Sequence, residues 1–301
     1  MSIAAAALAA TLLSTSALEE PAIPAGTVKK DAASTGATDL GGSGQFAAAA
    51  AKPETDITSL SLSAGGIFNT GNARSLAVTG LGKFQIRRKA HQFTAAAAGN
   101  YGRAALAVRD DDATPDVDEG RIADTVSNVQ GQVRYDWFFR PRFSAFLMST
   151  ARYDKFQGLD LRLNIDPGVA MYAIMEEKHK LWFEVGYDFQ FDIRSERGLD
   201  IAEDTGADRP NKTLVNHAAR LFAGYTNNLS KYVTFDTGFE YLQSFLDGQR
   251  FRFNWVNALG VTITDRFSLA TTFTMRYENR PLPGVVKLDT ITSLLLNVRL
   301  I

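Results

Sequence analysis

Apolar and polar side chains alternate along this chain from about residue 57 to its end. Between Phe267 and Tyr277 one parity is mostly apolar, whereas the other carries serine, threonine and arginine. A period of two is typical of a β-strand whose two faces meet different environments. The alternation predicts twelve strands, over 57–68, 74–87, 91–108, 121–138, 143–154, 160–174, 180–193, 213–226, 232–244, 250–263, 266–279 and 288–300.

The connections between these predicted strands alternate in length. Those after even-numbered strands are short and charged, as at 88–90 and 140–142, whereas those after odd-numbered strands include 109–120 and 194–212. An even strand number, with tight turns at one end and longer loops at the other, is typical of bacterial outer-membrane barrels. We therefore predict an all-β, transmembrane, antiparallel up-and-down barrel of about 12 strands, with the short turns in the periplasm.

One predicted strand shows the two faces clearly. Leucine, valine, isoleucine and aromatic residues fill the odd positions of 181–193, whereas Glu184, Asp188 and Asp192 stand between them. The apolar row needs lipid or a second sheet, and the charged row suits a hydrated lumen. Aromatic residues near the strand ends predict interfacial girdles: Trp137, Phe143, Tyr225 and Phe267 at one rim, and Phe68, Tyr101, Tyr153, Tyr241 and Tyr277 at the other.

Composition adds a location and a domain plan. The 301 residues are 45% hydrophobic with a formal charge of -1 and no cysteine, so no basic stripe indicates nucleic-acid binding and disulfides are excluded. Residues 1–17 resemble a signal peptide without its basic start, or else form an ordinary alanine-rich end. We predict a signal peptide at 1–17, a disordered Ala/Gly/Pro/Ser leader at 18–56 and the barrel at 57–301.

Seven short segments resemble one known family. They are NTGNARSL (69–76), NYGR (100–103), GQVRYDWFF (131–139), ARYDKFQGLDLRLNIDPG (151–168), FEYLQS (239–244), TDRFSL (264–269) and RYENRPLPGVVKLDT (276–290). Their order and wording resemble the salt-stress-induced outer-membrane protein family, whose repeated domain has no assigned biochemical role. The resemblance implies an outer-membrane barrel of Gram-negative bacteria, linked to salt or osmotic stress, with no catalytic residues to carry over. The alanine-rich leader, the acidic insertions at 109–120 and 195–212, and the non-aromatic end depart from it.

Charged residues of the inward parity form the candidate site. They line either a polar conduit that biases solute passage or a paired network that fills a narrow interior. Both signs mix evenly, so no ion preference follows. The predicted lumen-facing charges are Lys83, Arg134, Asp136, Arg152, Asp154, Asp160, Arg162, Glu184, Asp188, Arg220, Asp236, Glu240, Arg252 and Arg276.

Metal binding and catalysis are weaker candidates. The acidic run from Asp110 to Glu119 offers oxygen ligands but lacks the spacing of an EF-hand loop, so a solvated loop is favoured and no metal or cofactor is predicted. His91 and His179 lie at the predicted short turns. His217 and Asn216 are adjacent strand residues that point to opposite faces, and no nucleophilic serine motif accompanies them. We predict no enzymatic activity.

The sequence thus predicts a monomeric, porin-like integral protein of the outer membrane. Its predicted role is a narrow pore or passive exchange under salt stress. The alternative is a structural or adhesive barrel whose acidic outer loops bind divalent cations, lipopolysaccharide or a partner, and a lipid hydrolase is the third candidate. The expected partners are outer-membrane lipid, lipopolysaccharide and the barrel assembly machinery.

Overall fold

The structure, a computed structural model, describes residues 56–69, 75–106, 121–176, 178–206 and 208–300. The predicted signal peptide and all but the last residue of the predicted leader lie outside these residues. The described strands are β1 (Ile57–Asn69), β2 (Ser75–Arg88), β3 (His91–Leu106), β4 (Arg121–Arg140), β5 (Phe143–Asp154), β6 (Leu159–Met175), β7 (His179–Arg194), β8 (Thr213–Asn228), β9 (Val233–Ser244), β10 (Phe251–Thr262), β11 (Phe267–Glu278) and β12 (Leu288–Arg299).

The twelve strands close into a ring. Each strand pairs antiparallel with the next one in the chain, and β12 pairs with β1 from Ser61↔Arg299 to Ala64↔Leu296. Closure leaves no unpaired sheet edge, so the backbone groups of the strands are satisfied within the sheet. The predicted all-β, antiparallel up-and-down barrel of twelve strands is confirmed.

Strand register assigns each parity to one face of the barrel. Glu184 pairs with Phe222 and Ala170, which places these three side chains on the inward face. On β7 the outward Phe183 and Val185 are 39% and 56% exposed, whereas the inward Glu184 and Asp188 are 3% and 1% exposed. The barrel is therefore apolar outside and polar inside, the reverse of a water-soluble protein.

The two ends of the barrel differ in their connections. At the short-turn end, connections of two to four residues lie at 89–90, 141–142, 176–178, 229–232 and 263–266. At the long-loop end, the connections at 70–74, 107–120, 155–158, 195–212, 245–250 and 279–287 run from four to 18 residues. Within the described residues, the helix α1 (Glu196–Asp204) lies in the longest of these loops. No helix in the described part of the chain has the length and apolarity needed to cross a bilayer.

Aromatic side chains lie at both ends of the outer face. Trp137, Phe143 and Phe267 are exposed near the short-turn end, and Tyr101 and Tyr153 are exposed near the long-loop end. The side chain of Phe68 lies outside the description. Rings at these two levels are typical of interfacial anchors.

Candidate solute passage and vestibule

The predicted lumen charges lie inside the barrel with one exception. Ten of them are buried (Asp136, Arg152, Asp154, Arg162, Glu184, Asp188, Arg220, Asp236, Glu240 and Arg276), and Lys83, Arg134 and Arg252 are half-buried. Asp160 is exposed instead, because an irregularity in the β6–β7 register between Leu159 and Leu161 breaks the alternation at that point. The interior near these charges is thus filled by protein, which fits one of the two alternatives left open by the sequence, a paired network in a narrow interior.

Five alternating charges cross the middle of the interior, from β4 to β9. Arg134 lies 2.9 Å from Asp136 and 2.8 Å from Glu184, and Arg220 lies 2.8 Å from Glu184 and 2.6 Å from Glu240. We call Asp136, Arg134, Glu184, Arg220 and Glu240 the ionic chain. Each carboxylate of this chain contacts at least one guanidinium, which offsets the cost of removing both charges from water.

An apolar cluster fills the interior nearer the short-turn end. We call its members the aromatic cluster: Phe138, Phe146, Met148, Ala170, Tyr172, Trp182 and Phe222, all buried. The guanidinium carbon of Arg134 lies 4.2 Å from the ring centre of Phe146, and that of Arg87 lies 4.2 Å from the ring centre of Phe138. Cation–π contacts therefore join this cluster to the ionic chain above it.

Two glycines make room for the largest rings of this cluster. Gly224 pairs with Trp182 across β7 and β8, and Gly168 pairs with Phe146 across β5 and β6. A Cβ atom on Gly224 would overlap the indole of Trp182, and one on Gly168 would lie 2.5 Å from the Phe146 ring. Each ring therefore lies flat over a neighbouring strand, which lets large side chains fit within a twelve-stranded ring.

The opposite side of the interior is lined by smaller side chains. On β5–β9 nearly every inward residue is buried, whereas on β1–β3 most inward residues are only half-buried. We call the first the filled side and the second the open side; the open side includes Ser61, Thr79, Lys83, Ala96 and Asn100. Lys83 is attracted by Asp236, which lies five strands away around the ring. The open side is therefore less densely filled than the filled side.

A cavity of about 90 Å³ lies inside the long-loop end. Its wall includes residues of the loop at 279–287, so this loop folds inward over the mouth of the barrel. Arg162 on β6 lies 3.8 Å from Glu278 on β11, and this ion pair joins nearly opposite walls. We call this cavity the vestibule. Its charged lining consists of Arg152, Arg162, Arg194, Arg250, Arg252, Arg276, Arg280 and Lys287, against Asp166, Asp188, Asp192, Glu240 and Glu278.

Helix α1 covers part of the long-loop end. Ser195 caps it by accepting a hydrogen bond from the Gly198 amide at 3.1 Å, and the Ser195 amide donates to the Gly158 carbonyl at 2.8 Å. Leu199 and Ala202 are buried beneath it. The helix was not predicted from the sequence, although a serine cap followed by apolar residues at a spacing of three was visible there.

The acidic side chains of α1 are paired with two basic residues. Arg209 contacts Glu196, Asp200 and Glu203 at 3.0, 2.9 and 2.7 Å, and Lys212 contacts Glu196 at 2.6 Å. The hydrogen bond from Lys212, with its charge, lowers the pKa of Glu196, and Glu196 in turn raises the pKa of Lys212. Hydrogen bonds to Glu203 and Asp200 raise the pKa of Arg209. These ion pairs hold α1 to the segment that follows it.

Acid is expected to loosen α1 while the barrel stays intact. Because the pKa of Glu196 is lowered, its contribution is complete above the ordinary glutamate pKa of about 4.3 and is lost as pH falls through the lowered value. Hydrogen exchange of the α1 amides, corrected for the intrinsic rate, should be constant from about pH 5 upward and faster below about pH 4. Amides of β7 serve as the control, and unchanged α1 protection in acid would contradict the role of these ion pairs.

All three histidines bond to tyrosines on the outer face of the barrel. His91 Nδ1 lies 2.6 Å from the Tyr135 hydroxyl, His179 Nδ1 lies 2.8 Å from the Tyr225 hydroxyl, and His217 bonds to Tyr187. The first two pairs lie near the short-turn end, and the third lies nearer the long-loop end.

The contacts of His217 bear on the hydrolase candidate. Its ring packs against Phe189 and Tyr187, while Asn216 points inward and accepts a hydrogen bond from Ser244 at 2.6 Å. Among the described residues no serine hydroxyl bonds to this histidine. The pair Asn216 and His217 therefore shows no catalytic arrangement.

The acidic loop at 109–120 lies outside the described residues. In the described part of the chain, no group of three or more His, Cys, Asp or Glu side chains is placed to hold a metal ion. In the second acidic segment, 195–212, the carboxylates of Glu196, Asp200 and Glu203 are engaged by Arg209 and Lys212.

A closed ring of twelve strands with an apolar outer face and a charged interior defines the class of porin-like β-barrels. A comparison with protein families matches residues 62–299 to "Protein of unknown function, DUF481". The chain belongs to this family. The match does not extend to the salt-stress description, which stays a prediction.

Three solved structures with a similar fold are remote in sequence. A NanC porin shares 10% identity at a TM-score of 0.44, with 80% of this chain and 97% of that chain covered. An outer-membrane channel of Pseudomonas putida F1 shares 9% at a TM-score of 0.43, covering 80% and 95%. A KdgM porin in complex with disordered oligogalacturonate shares 9% at 0.38, covering 81% and 98%. No curated protein matches the chain. Likeness at this level does not indicate what this chain does.

Proposed function

We propose that this protein is an outer-membrane barrel of Gram-negative bacteria that gives small polar solutes a narrow passive route along its open side. One observation carries the proposal: most inward side chains of β1–β3 are half-buried, whereas nearly all of those on β5–β9 are buried. Serine, threonine, alanine and asparagine on the open side leave space that arginine and tryptophan occupy on the filled side. Hydroxyl and amide groups there can replace part of the hydration shell of a passing solute.

The outer face supports the membrane location. Its apolar residues are exposed on every described strand from β2 to β12, with aromatic rings near both ends. The difference in connection length supports an orientation with the short-turn end in the periplasm and the long-loop end outside. Insertion by the barrel assembly machinery, a monomeric state and a link to salt or osmotic stress belong to the same proposal.

The interior supports passive passage and no catalysis. On the filled side, acidic and basic side chains form ion pairs with one another, as in the ionic chain. Such pairs fix the width of the lumen and keep strands apart in a set geometry. Solutes are therefore selected by size and charge along the open side, and enzymatic activity forms no part of the proposal.

A tryptophan at Ala96 is expected to reduce single-channel conductance severalfold in planar bilayers. Ala96 faces inward beside Lys83 on the open side, so a large ring there narrows the path. Ala97→Trp is the matched control, because Ala97 is exposed on the outer face and its replacement leaves the lumen unchanged. Heat-modifiable migration in SDS gels verifies that both variants fold. Equal conductance of the two variants, or no conductance of the unaltered protein, refutes the passage.

The alternative of an adhesive or structural barrel keeps the acidic loops as its binding surface. On α1 the carboxylates of Glu196, Asp200 and Glu203 already contact Arg209, which lowers their availability to divalent cations or lipopolysaccharide. The geometry therefore favours the passage over this alternative.

A further inference from the structure

The vestibule holds more positive than negative charge. Eight basic side chains and five acidic ones line it, an excess of three positive charges (8 − 5 = 3). In the ionic chain the excess has the opposite sign, because two arginines meet three carboxylates. An enclosed excess of one sign attracts and concentrates ions of the other sign.

Three arginines in the lining of the vestibule repel one another electrostatically. Arg194 is repelled by both Arg250 and Arg162, and it is attracted by Asp192 and Glu278. Arg162 is engaged by Asp192 through two hydrogen bonds of 2.9 and 2.8 Å. The three positive charges are therefore only partly neutralised by the two carboxylates near them.

Two of these arginines have guanidinium N–H groups that bond to no carboxylate in the described part of the chain. Arg194 donates to the carbonyl of Asn211 at 3.0 Å, which leaves its charge without a bonded carboxylate among the described residues. Arg250 has no hydrogen-bond or ion-pair partner through its guanidinium in the described part of the chain. The buried Nε of Arg152, in the same wall, likewise has no hydrogen-bond partner among the described residues.

We propose that the vestibule binds one small oxyanion, of the class of inorganic phosphate and sulfate, between Arg194 and Arg250. Planar guanidinium forks match the paired oxygens of such anions and form short, charge-assisted hydrogen bonds with them. The cavity of about 90 Å³ accommodates an ion of this size.

The position of one acidic residue keeps the anion near the mouth. Asp188 lines the vestibule on its inner side, toward the ionic chain, and repels an anion that moves deeper. Leu282, Val285 and Val286 of the covering loop exclude water and strengthen the attraction. The site adds to the proposed passage the class of ion that binds at its entrance, a small oxyanion. Only a role of the site in transport rests on the proposed passage; the binding itself does not.

Equilibrium dialysis of the full chain in detergent with radiolabelled inorganic phosphate tests the site. We expect saturable binding of one phosphate per chain, displaced by sulfate and weakened by added salt. Arg250→Gln should weaken binding about tenfold, or about 1.4 kcal/mol. Arg142→Gln is the matched control, because Arg142 is an exposed arginine in a turn at the opposite end and its loss removes the same charge.

Binding that is absent, that does not saturate, or that Arg250→Gln and Arg142→Gln change equally overturns the site. Arg194→Gln gives a second measurement if Arg250→Gln fails to fold. The dialysis needs no conduction, so its result is separate from that of the bilayer recordings. Saturable phosphate binding without conductance would support the site and remove the passage, and conductance without phosphate binding would do the reverse.

Discussion

Trp182→Ala is expected to raise single-channel conductance severalfold. The indole of Trp182 lies flat over Gly224 and packs against Phe222, with ring centres 6.0 Å apart, at the point where the aromatic cluster narrows the short-turn end. In this variant Gly224 faces an alanine across β7 and β8. Water can enter the space left by the indole because charged side chains lie beside it. Currents across planar bilayers, with equal protein insertion, measure the change.

Phe183→Ala provides the control for this variant. Phe183 is the next residue on β7 and is exposed on the outer face, so its loss removes an aromatic ring from the same strand without altering the lumen. If Trp182→Ala and Phe183→Ala conduct alike while both remain heat-modifiable, the aromatic cluster is not what restricts flow, and the restriction must lie elsewhere in the interior.

Glu184→Ala is expected to destabilise the barrel by about 3–5 kcal/mol. Glu184 is 3% exposed and is the one carboxylate in the ionic chain that joins Arg134 to Arg220. Its removal leaves the half-buried Arg134 and the buried Arg220 without the charge between them, so each guanidinium group keeps only one carboxylate partner of the ionic chain, Asp136 or Glu240. Urea unfolding in lipid vesicles, followed by tryptophan fluorescence, measures the free energy of unfolding.

Two further variants separate charge from packing. Glu176→Ala removes a carboxylate that is exposed in a short turn and should leave stability unchanged within error. Glu184→Gln should recover part of the loss, because it keeps the size of the side chain and can still accept hydrogen bonds from Arg134 and Arg220 while removing only the charge. If Glu184→Ala hardly changes the free energy of unfolding, water reaches the ionic chain and compensates for the lost carboxylate.

Strand bounds follow from the sequence because each strand faces two environments. The prediction for β5 matches its observed bounds, 143–154, and β10 and β11 each differ by one residue at either end. Side chains of one face must be apolar and those of the other polar or small, so a shift of one residue would reverse both faces. Because this constraint applies to each strand separately, the number of alternating segments in the sequence predicts the number of strands in the closed ring.

The parity of a residue shows which face of the barrel its side chain lies on, but not how far that side chain extends into the lumen. Trp182 and Phe146 have the inward parity, yet the alternation does not show that they fill the lumen. That depends on which residue faces them across the neighbouring strand. Gly224 and Gly168 were the available signal, because a glycine paired with an inward ring lets that ring lie flat.

Local irregularities account for the remaining differences. Asp160 was placed in the lumen because strict alternation was carried through the irregular register at Leu159, which the sequence does not mark. Helix α1 was missed because its acidic residues suggested a solvated loop, whereas Arg209, four or more residues beyond the helix, neutralises them. The alternation of residues predicts side-chain orientation within regular strands, but not at strand ends, where the register is irregular.

The tyrosine–histidine pairs on the outer face set a vertical scale for the barrel. His179 and Tyr187, members of two such pairs, lie eight residues apart on β7. At the usual rise and a tilt of about 40°, that separation corresponds to about 20 Å along the barrel axis. This is less than the roughly 30 Å of hydrocarbon in a typical bilayer. The apolar row of β7 continues past Tyr187 to Ile193, about 30 Å along the axis from Leu181. The pair of Tyr187 and His217 therefore lies at the depth of the hydrocarbon, where each ring satisfies the polar group of the other, and β7 spans a bilayer of ordinary thickness without hydrophobic mismatch.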